Sequence, residues 1–207
     1  MTLDWFFDYL SPFAYLQFSA HPDLMQRPDV KFRPLLFAAL LNHWGHKGPA
    51  EIPPKRVHTF RLASWLAAER GIPVRCPPAH PFNPLPALRL TIALGPRYAV
   101  VKAIFDFIWA EGRSVDDEWP ALLARLGAAD AAPLLADETV KSTLRANGEA
   151  AIAAGVFGVP SFVVDRNVFW GEDSTGMLRA YLADPRLFDS PEMRRIDTLP
   201  AAAVRNR

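Results

Sequence analysis

Residues 6–16 read Phe6-Phe7-Asp8-Tyr9-Leu10-Ser11-Pro12-Phe13-Ala14-Tyr15-Leu16. The aromatic run up to Leu10 reads as a buried strand, with Asp8 as its one buried-looking charge. Ser11-Pro12 then opens a helix. Serine is a favoured N-cap, and proline at the first helical position lacks only an N–H that would be unpaired anyway. The start of a helix carries unpaired N–H groups and a partial positive charge, so it is suited to hold an anion.

A second stretch far along the chain matches it. Gly155-Val156-Phe157-Gly158-Val159-Pro160-Ser161-Phe162-Val163-Val164 is a glycine-rich turn, Val-Pro, and an apolar strand. A proline at the mouth of a strand leaves one backbone edge without a donor. The Val159–Pro160 bond is expected to be cis and to adjoin Ser11. Beyond it lies Phe169-Trp170-Gly171-Glu172-Asp173, with the acidic pair placed to begin the last helix of the frame.

Between these ends the segments are ordered. Thr2–Tyr9 reads as a strand and Pro12–Gln26 as a helix with Phe13, Leu16 and Phe18 inward. Val30–Leu36 alternates as a second strand. A β-α-β unit of this kind makes its strands parallel with a right-handed crossover. Asn42–Pro54 is an irregular loop rich in His and Trp, and such loops often carry function. Lys55–Arg70 is amphipathic and ends at Gly71. Ile72–Pro86 holds six prolines and reads as extended. Leu88–Leu94, Tyr98–Ala110, Val115–Leu126, Ala131–Ala136 and Glu138–Ala154 read as helices, separated by glycines. Ser161–Asp165 and Val168–Trp170 form a hairpin turned at Arg166-Asn167. Ser174–Leu182 closes the frame, and the chain past Asp184 is expected to lie over the surface.

The ordered set of Phe-Asp-Tyr-Leu-Ser-Pro-Phe, Gly-Val-Pro and Trp-Gly-x-Asp resembles the DsbA-like branch of the thioredoxin fold. More narrowly, it is similar to the 2-hydroxychromene-2-carboxylate isomerases and the kappa-class glutathione transferases, in which serine replaces the first cysteine of CxxC. The resemblance implies an α/β, thioredoxin-like (DsbA-like) fold with a large all-helical insertion. Residues 1–37 and 156–207 would form the thioredoxin-like domain and residues 38–155 an inserted helical domain roofing the site.

The same resemblance implies glutathione as cofactor and a small aromatic compound as second substrate, in aromatic degradation. Ser11 would stabilise the glutathione thiolate. Val159 would pair its backbone with the cysteinyl part of the peptide, as a strand adds to a sheet edge. Asp173 would hold the γ-glutamyl end. Relatives carry Gly-Asn-Asp-Arg or Gly-Ser-Asp-Arg where this chain has Gly171-Glu172-Asp173-Ser174, so an arginine is lost and a local negative charge gained. His46 falls nearest a family Asn that touches glutathione. Phe13, Pro160 and Glu172 complete the expected glutathione contacts, and Trp44, Lys55 and Asn83 those of the second substrate. Phe7 and Trp170 are further aromatic candidates for stacking.

Each residue also has a plainer role. Ser11 can be only a helix cap, Glu172-Asp173 only an acidic helix start, Asn83 only a turn residue, and Lys55 and His46 only solvated side chains. A serine hydrolase would need a base, and none of the five histidines sits in a G-x-S-x-G context. A transferase or peroxidase acting on another electrophile, and a non-catalytic peptide-binding module, remain as alternatives.

Composition bounds the rest. At 207 residues, half of them hydrophobic, the chain suits one domain with an insertion. Lys+Arg (23) nearly balances Asp+Glu (22), which points away from nucleic acid. The single Cys76 excludes an internal disulfide, a CxxC redox pair and any cysteine-rich metal site. His43 and His46 have no third ligand at a useful spacing, so no metal is expected. Gly155-x-x-Gly158 leads into a strand rather than a helix, which does not suit a dinucleotide. No basic and apolar leader precedes the first strand and no apolar run would span a membrane, so a cytoplasmic protein is expected, paired as a homodimer like its relatives.

Overall fold

The computed structural model describes residues 1–201. Strand β1 (Leu3–Phe7) leads to helices α1 (Pro12–Ala20) and α2 (Pro22–Met25), then β2 (Val30–Pro34). Seven helices follow: α3 (Phe37–Trp44), α4 (Pro53–Glu69), α5 (Leu85–Ala93), α6 (Tyr98–Phe105), α7 (Trp119–Leu126), α8 (Ala132–Ala136) and α9 (Glu138–Ala153). The hairpin β3 (Ser161–Val164) and β4 (Asn167–Trp170) comes next, then α10 (Thr175–Ala183) and α11 (Pro191–Ile196). The four strands lie in the order β2-β1-β3-β4, with β1–β2 parallel and the other pairs antiparallel. This is the DsbA-like thioredoxin arrangement that the two ends of the sequence imply, and residues 38–155 contain no strand.

The two-residue period of β1 explains how both faces of the sheet are covered. Leu3, Trp5 and Phe7 face a large cluster that includes Phe18 of α1, Leu88 of α5 and Phe105 of α6. Phe6 faces the other way, into a smaller cluster with Leu35, Leu40 of α3, Ala151 of α9 and Val156. Phe105 lies within ring-to-ring distances of 4.8 to 6.3 Å of Trp5, Phe7, Tyr9, Tyr15 and Phe18. One core therefore runs from the sheet into the helical block.

Several boundaries differ from the sequence reading, each for a local reason. The first helix stops at Ala20, because Pro22 has no N–H to continue it; the chain breaks at His21 (φ −128°, ψ 56°) and Pro22 starts α2. Helix α5 begins at Leu85 rather than Leu88, with Pro86 in its first turn. Helix α7 begins at Trp119 rather than Val115, since Pro120 is tolerated in a first turn but not further in. The Tyr98–Ala110 helix widens into a π turn over Asp106–Ala110. The hairpin turns at Asp165-Arg166, both at positive φ (48° and 73°), rather than at Arg166-Asn167. That register puts Phe162 opposite Phe169, so both reach the core. Past Asp184, Phe188 stacks on Phe169 and Tyr181 while α11 is exposed; residues 202–207 lie outside the described residues.

Asp8 stands where β1 ends. It is fully buried, and among the described residues no cation pairs with it. Its carboxylate accepts from the N–H groups of Leu10 (3.1 Å) and Phe37 (2.8 Å), joining the turn before α1 to the first turn of α3. Burial raises its pKa to about 7, against the opposing backbone hydrogen bonds. A carboxyl that titrates near pH 7 when folded and near pH 3.9 when unfolded loses stability as pH rises between those values. Asp8→Asn cannot ionise. The stability of the variant relative to wild type should therefore rise from pH about 4 to about 7 and be flat on either side. Urea unfolding of both proteins across that range checks this; a gap that stays flat between about pH 4 and pH 7 would show that Asp8 is charged when folded.

Candidate active site

Ser11 is placed by the turn that Asp8 closes. Its N–H donates to the Asp8 carbonyl (3.1 Å), and its Oγ accepts from the Ala14 N–H (3.1 Å), which caps α1. The same hydroxyl donates to the Val159 carbonyl at 3.4 Å, a long and weak hydrogen bond. Ser11 and Val159 are thus adjacent, and the Val159–Pro160 bond is cis, as expected from the sequence. Among the described residues nothing accepts from the Val159 N–H. The Ser11 hydroxyl, the start of α1 and the Val159 backbone are neighbours.

The backbone before Ser11 is held at each residue. Trp109 Nε1–H donates to the Tyr9 carbonyl (2.8 Å), and the Tyr9 hydroxyl lies 2.6 Å from Thr91 Oγ1. His80 Nε2 lies 2.9 Å from the Leu10 carbonyl, so that nitrogen carries the proton. His80 Nδ1 is buried and unpartnered, and desolvation lowers the His80 pKa. The sequence weighs His80 only as one of five histidines without a nucleophile context and gives it no role, because it sits in the proline-rich loop outside any motif. The hydrogen bonds of Ser11 reach Ala14 and Val159, not an imidazole, so no base for a serine hydrolase is in place among the described residues.

The Gly171–Ser174 turn is tied to α1 by Gln17. This buried side chain accepts from Trp5 Nε1–H (2.7 Å) and donates to the Gly171 carbonyl (3.1 Å) and Thr175 Oγ1 (2.9 Å). Glu172 is buried in the turn, where Arg70 Nη1 reaches it at 2.5 Å and His21 Nε2 at 3.9 Å. His21 and Arg70 hold the Glu172 carboxyl below the usual range, against the cost of burial. The negative charge that the sequence adds at Glu172 is therefore balanced by Arg70, at the end of α4. Asp173 is exposed and makes no ion pair among the described residues.

The other candidates divide. Trp44 Nε1–H donates to the Val156 carbonyl (2.9 Å), which brings the end of α3 beside the Val159 turn. Phe157 and Trp170 are both exposed, with ring centroids 5.1 Å apart. A Cβ on Gly158 would come within 2.3 Å of the Trp170 indole nitrogen, so glycine lets that ring close over the turn. Phe13 is half-buried and packs toward Ala63 and Ala67 of α4. Phe7 is core and presents no face to a ligand. His46 and Lys55 are exposed, in the loop after α3 and in the first turn of α4. Asn83 is exposed and its Oδ1 accepts from the Leu85 N–H (3.1 Å) at the start of α5. Among the described residues no three His, Cys, Asp or Glu side chains group to hold a metal ion, and no helix is long and apolar enough to cross a membrane.

Comparison with known proteins agrees with this architecture. Residues 2–183 match the DSBA-like thioredoxin domain. The chain is 30% identical over 198 residues to a 2-hydroxychromene-2-carboxylate isomerase of Sphingobium xenophagum, covering 88% of this chain and 98% of that one. It is 28% identical over 195 residues to the enzyme of the same name from Pseudomonas putida, covering 87% and 93%. The solved structure of a 2-hydroxychromene-2-carboxylate isomerase superposes with TM-score 0.78 at 24% identity, over 97% of this chain and 100% of that one. The cytosolic disulfide reductase DsbM of Pseudomonas aeruginosa, solved with GSH, superposes with TM-score 0.57 at 18% identity, over 88% and 100%. The chain belongs to the DSBA-like thioredoxin domain family, within its group of 2-hydroxychromene-2-carboxylate isomerases.

Proposed function

We propose that the protein is a glutathione-dependent cis–trans isomerase of the 2-hydroxychromene-2-carboxylate type, acting as a homodimer in the cytoplasm on a small aromatic compound. The observation that carries this is the Ser11 hydroxyl, held over the start of α1 and beside the open Val159 backbone. The residues present fit glutathione. An extended peptide can pair with the Val159 N–H and C=O, and Asp173 is a free carboxylate for its ammonium. Phe13, His46 and Pro160 flank the peptide in this reading, and Glu172 shapes the turn through its ion pair. Trp44, Lys55 and Asn83 face the second substrate.

When bound, glutathione supplies a thiolate that adds reversibly to a conjugated double bond, so that this bond can turn. The work of the chain is to favour the anion and to orient the reactants. Ser11 gives up a weak hydrogen bond to the Val159 carbonyl and donates to the sulfur instead. The N–H groups and dipole at the start of α1 add to the preference for negative charge. Releasing the Val159 carbonyl frees it to accept from the peptide. The aromatic side chains around the turn hold the second substrate against the sulfur, which converts an encounter into an oriented reaction.

Ser11→Ala tests the role of the hydroxyl. Ultraviolet thiolate absorbance of bound glutathione should give a pKa below the free value of about 8.5 in wild type, and one closer to it in the variant. Turnover should fall with it, and loss of the cap should cost about 1 kcal/mol of stability. An unshifted pKa with unchanged turnover would leave Ser11 as a helix cap; acylation of Ser11 with glutathione-independent turnover would make it a hydrolase.

Arg70 tests the charge balance of the turn. Arg70→Met leaves Glu172 with only His21 to offset its charge beside Asp173, where the peptide brings carboxylates of its own. Calorimetric titration should show glutathione affinity reduced about tenfold, with most of it restored in Arg70→Met/Glu172→Gln. Equal losses in the single and double variants would show that Arg70 contacts the peptide directly.

A further inference from the structure

Strand β2 is one edge of the sheet, and a groove of about 500 Å3 runs along it. The floor is formed by Met25 at the end of α2 and by Val30 and Phe32 of β2, all buried, with the half-buried Tyr98 at the start of α6. The rim carries four cations, Arg27, Lys31, Arg33 and Arg97. Strand β1 runs parallel to β2 from Leu3 opposite Val30, so the groove lies toward the end of the sheet away from Ser11.

The backbone of this edge is closed except at its middle. In a parallel pair, successive residues turn their N–H and C=O alternately toward and away from the neighbouring strand. The Leu3 N–H donates to the Asp29 C=O and the Leu35 N–H to the Phe7 C=O, both at 3.0 Å. Lys31 and Arg33 therefore face β1 with their backbone, and Val30, Phe32 and Pro34 face outward. The Val30 N–H donates to the Arg27 C=O (3.2 Å). Pro34 has no N–H, and its C=O accepts from Asn147 Nδ2 (3.0 Å). Among the described residues the Phe32 N–H and C=O have no partner. An unpaired backbone pair on a buried residue is costly, and one more strand in register at Phe32 would satisfy both groups.

Two of the four cations are matched within the fold. Arg27 pairs with Asp29 (2.7 Å) and Arg33 with Asp4 (2.6 Å). Lys31 and Arg97 make no ion pair among the described residues; Arg97 donates to the Leu94 C=O (3.1 Å). Asp29 is the one acid between Leu24 and Leu36, and residues 96–105 contain none. The groove thus presents excess positive charge over an apolar floor. A second copy of this chain does not suit it. Antiparallel pairing of two β2 strands about Phe32 sets each Lys31 against the other copy's Arg33, and like charges directly opposite are destabilising. A strand carrying carboxylates at the same positions meets the opposite sign.

We propose that the β2 edge docks an extended acidic segment of a partner polypeptide, paired to Phe32 through its backbone and to Lys31 and Arg97 through its carboxylates. In strand addition the main chain supplies affinity and alternate side chains supply specificity. Lys31 and Arg33 lie on one face of β2, and Val30 and Phe32 on the other. The segment that fits therefore alternates acidic and apolar residues. Its docking does not depend on the reaction at Ser11.

Three pentapeptides, acetylated and amidated at their ends, test this by calorimetric titration at low salt. They are Glu-Val-Glu-Val-Glu, Lys-Val-Lys-Val-Lys, and the acidic sequence N-methylated throughout, which keeps the charge and removes every backbone donor. Wild type should bind the acidic peptide, more weakly as salt is raised, and should not bind the basic one. The N-methylated peptide should bind at least about tenfold more weakly, because only the backbone pairing is lost. Lys31→Gln and Arg97→Gln should each weaken the acidic peptide about threefold, and the double variant about tenfold, with urea midpoints that show all three to be folded. Absent binding of the acidic peptide, or equal binding of the acidic and basic peptides, overturns the proposal. Equal binding of the N-methylated peptide also overturns it, since charge attraction alone would then account for the affinity. Sedimentation of wild type and of Lys31→Glu gives the remaining outcome: a change of oligomeric state in the variant would assign this edge to a second copy instead.

Discussion

The carboxylate of Asp8 is buried at the end of β1 with no cation paired to it among the described residues, and the arrangement of the Ser11 turn depends on it. Its two oxygens are satisfied by the N–H groups of Leu10 and Phe37, and its carbonyl receives the Ser11 N–H. A buried polar group that lacks partners is costly, so the turn before α1 and the start of α3 are drawn to the same point. The position of the Ser11 hydroxyl follows from this. Trp109 and His80 then hold the carbonyls of Tyr9 and Leu10 from the helical block. The segment between β2 and β3 therefore supports the turn that carries Ser11, rather than only covering it.

Charge around the site is arranged in a similar way. Glu172 would be repulsive toward an anionic peptide if it stood free. Arg70 and His21 meet it inside the fold, and Asp173 is left as the exposed acid of the pair. Helix α4 thus supplies compensation at its end through Arg70, while Arg56 and Arg61 near its start make no ion pair among the described residues. Gln17 gives this turn its fixed relation to α1, through hydrogen bonds that also fill the bonding capacity of the Trp5 indole. An amide in the core serves here because it can accept from one element and donate to two others.

Much of the fold can be read along the chain. The alternation in β1 and β2, the Ser-Pro helix start, the glycines that end helices and the Gly-Val-Pro before β3 are local signals. Each works through backbone chemistry that neighbouring residues determine, and together they yield the DsbA-like frame. The misplaced boundaries are equally local in origin. Pro22, Pro86 and Pro120 move helix limits by removing an N–H, and the hairpin turns one residue early because Phe162 and Phe169 must share the core. The serine at the helix start, and its neighbour at Val159, were legible because both lie in short motifs.

What tertiary structure alone decided is the set of contacts between residues far apart in sequence. No pattern in the chain joins Arg70 to Glu172, His80 to Leu10, or Trp44 to Val156. These pairs depend on how α3, α4 and the proline-rich loop pack onto the sheet, and that is governed by burial of side chains such as Phe60 and Phe105 rather than by any local preference. The sequence determined the frame, the helix start that can stabilise an anion, and the absence of a dithiol. Packing determined which charges are balanced, as Arg70 balances Glu172, and which side chains hold the turn before Ser11, because electrostatic pairing acts through space and the chain order does not encode distance.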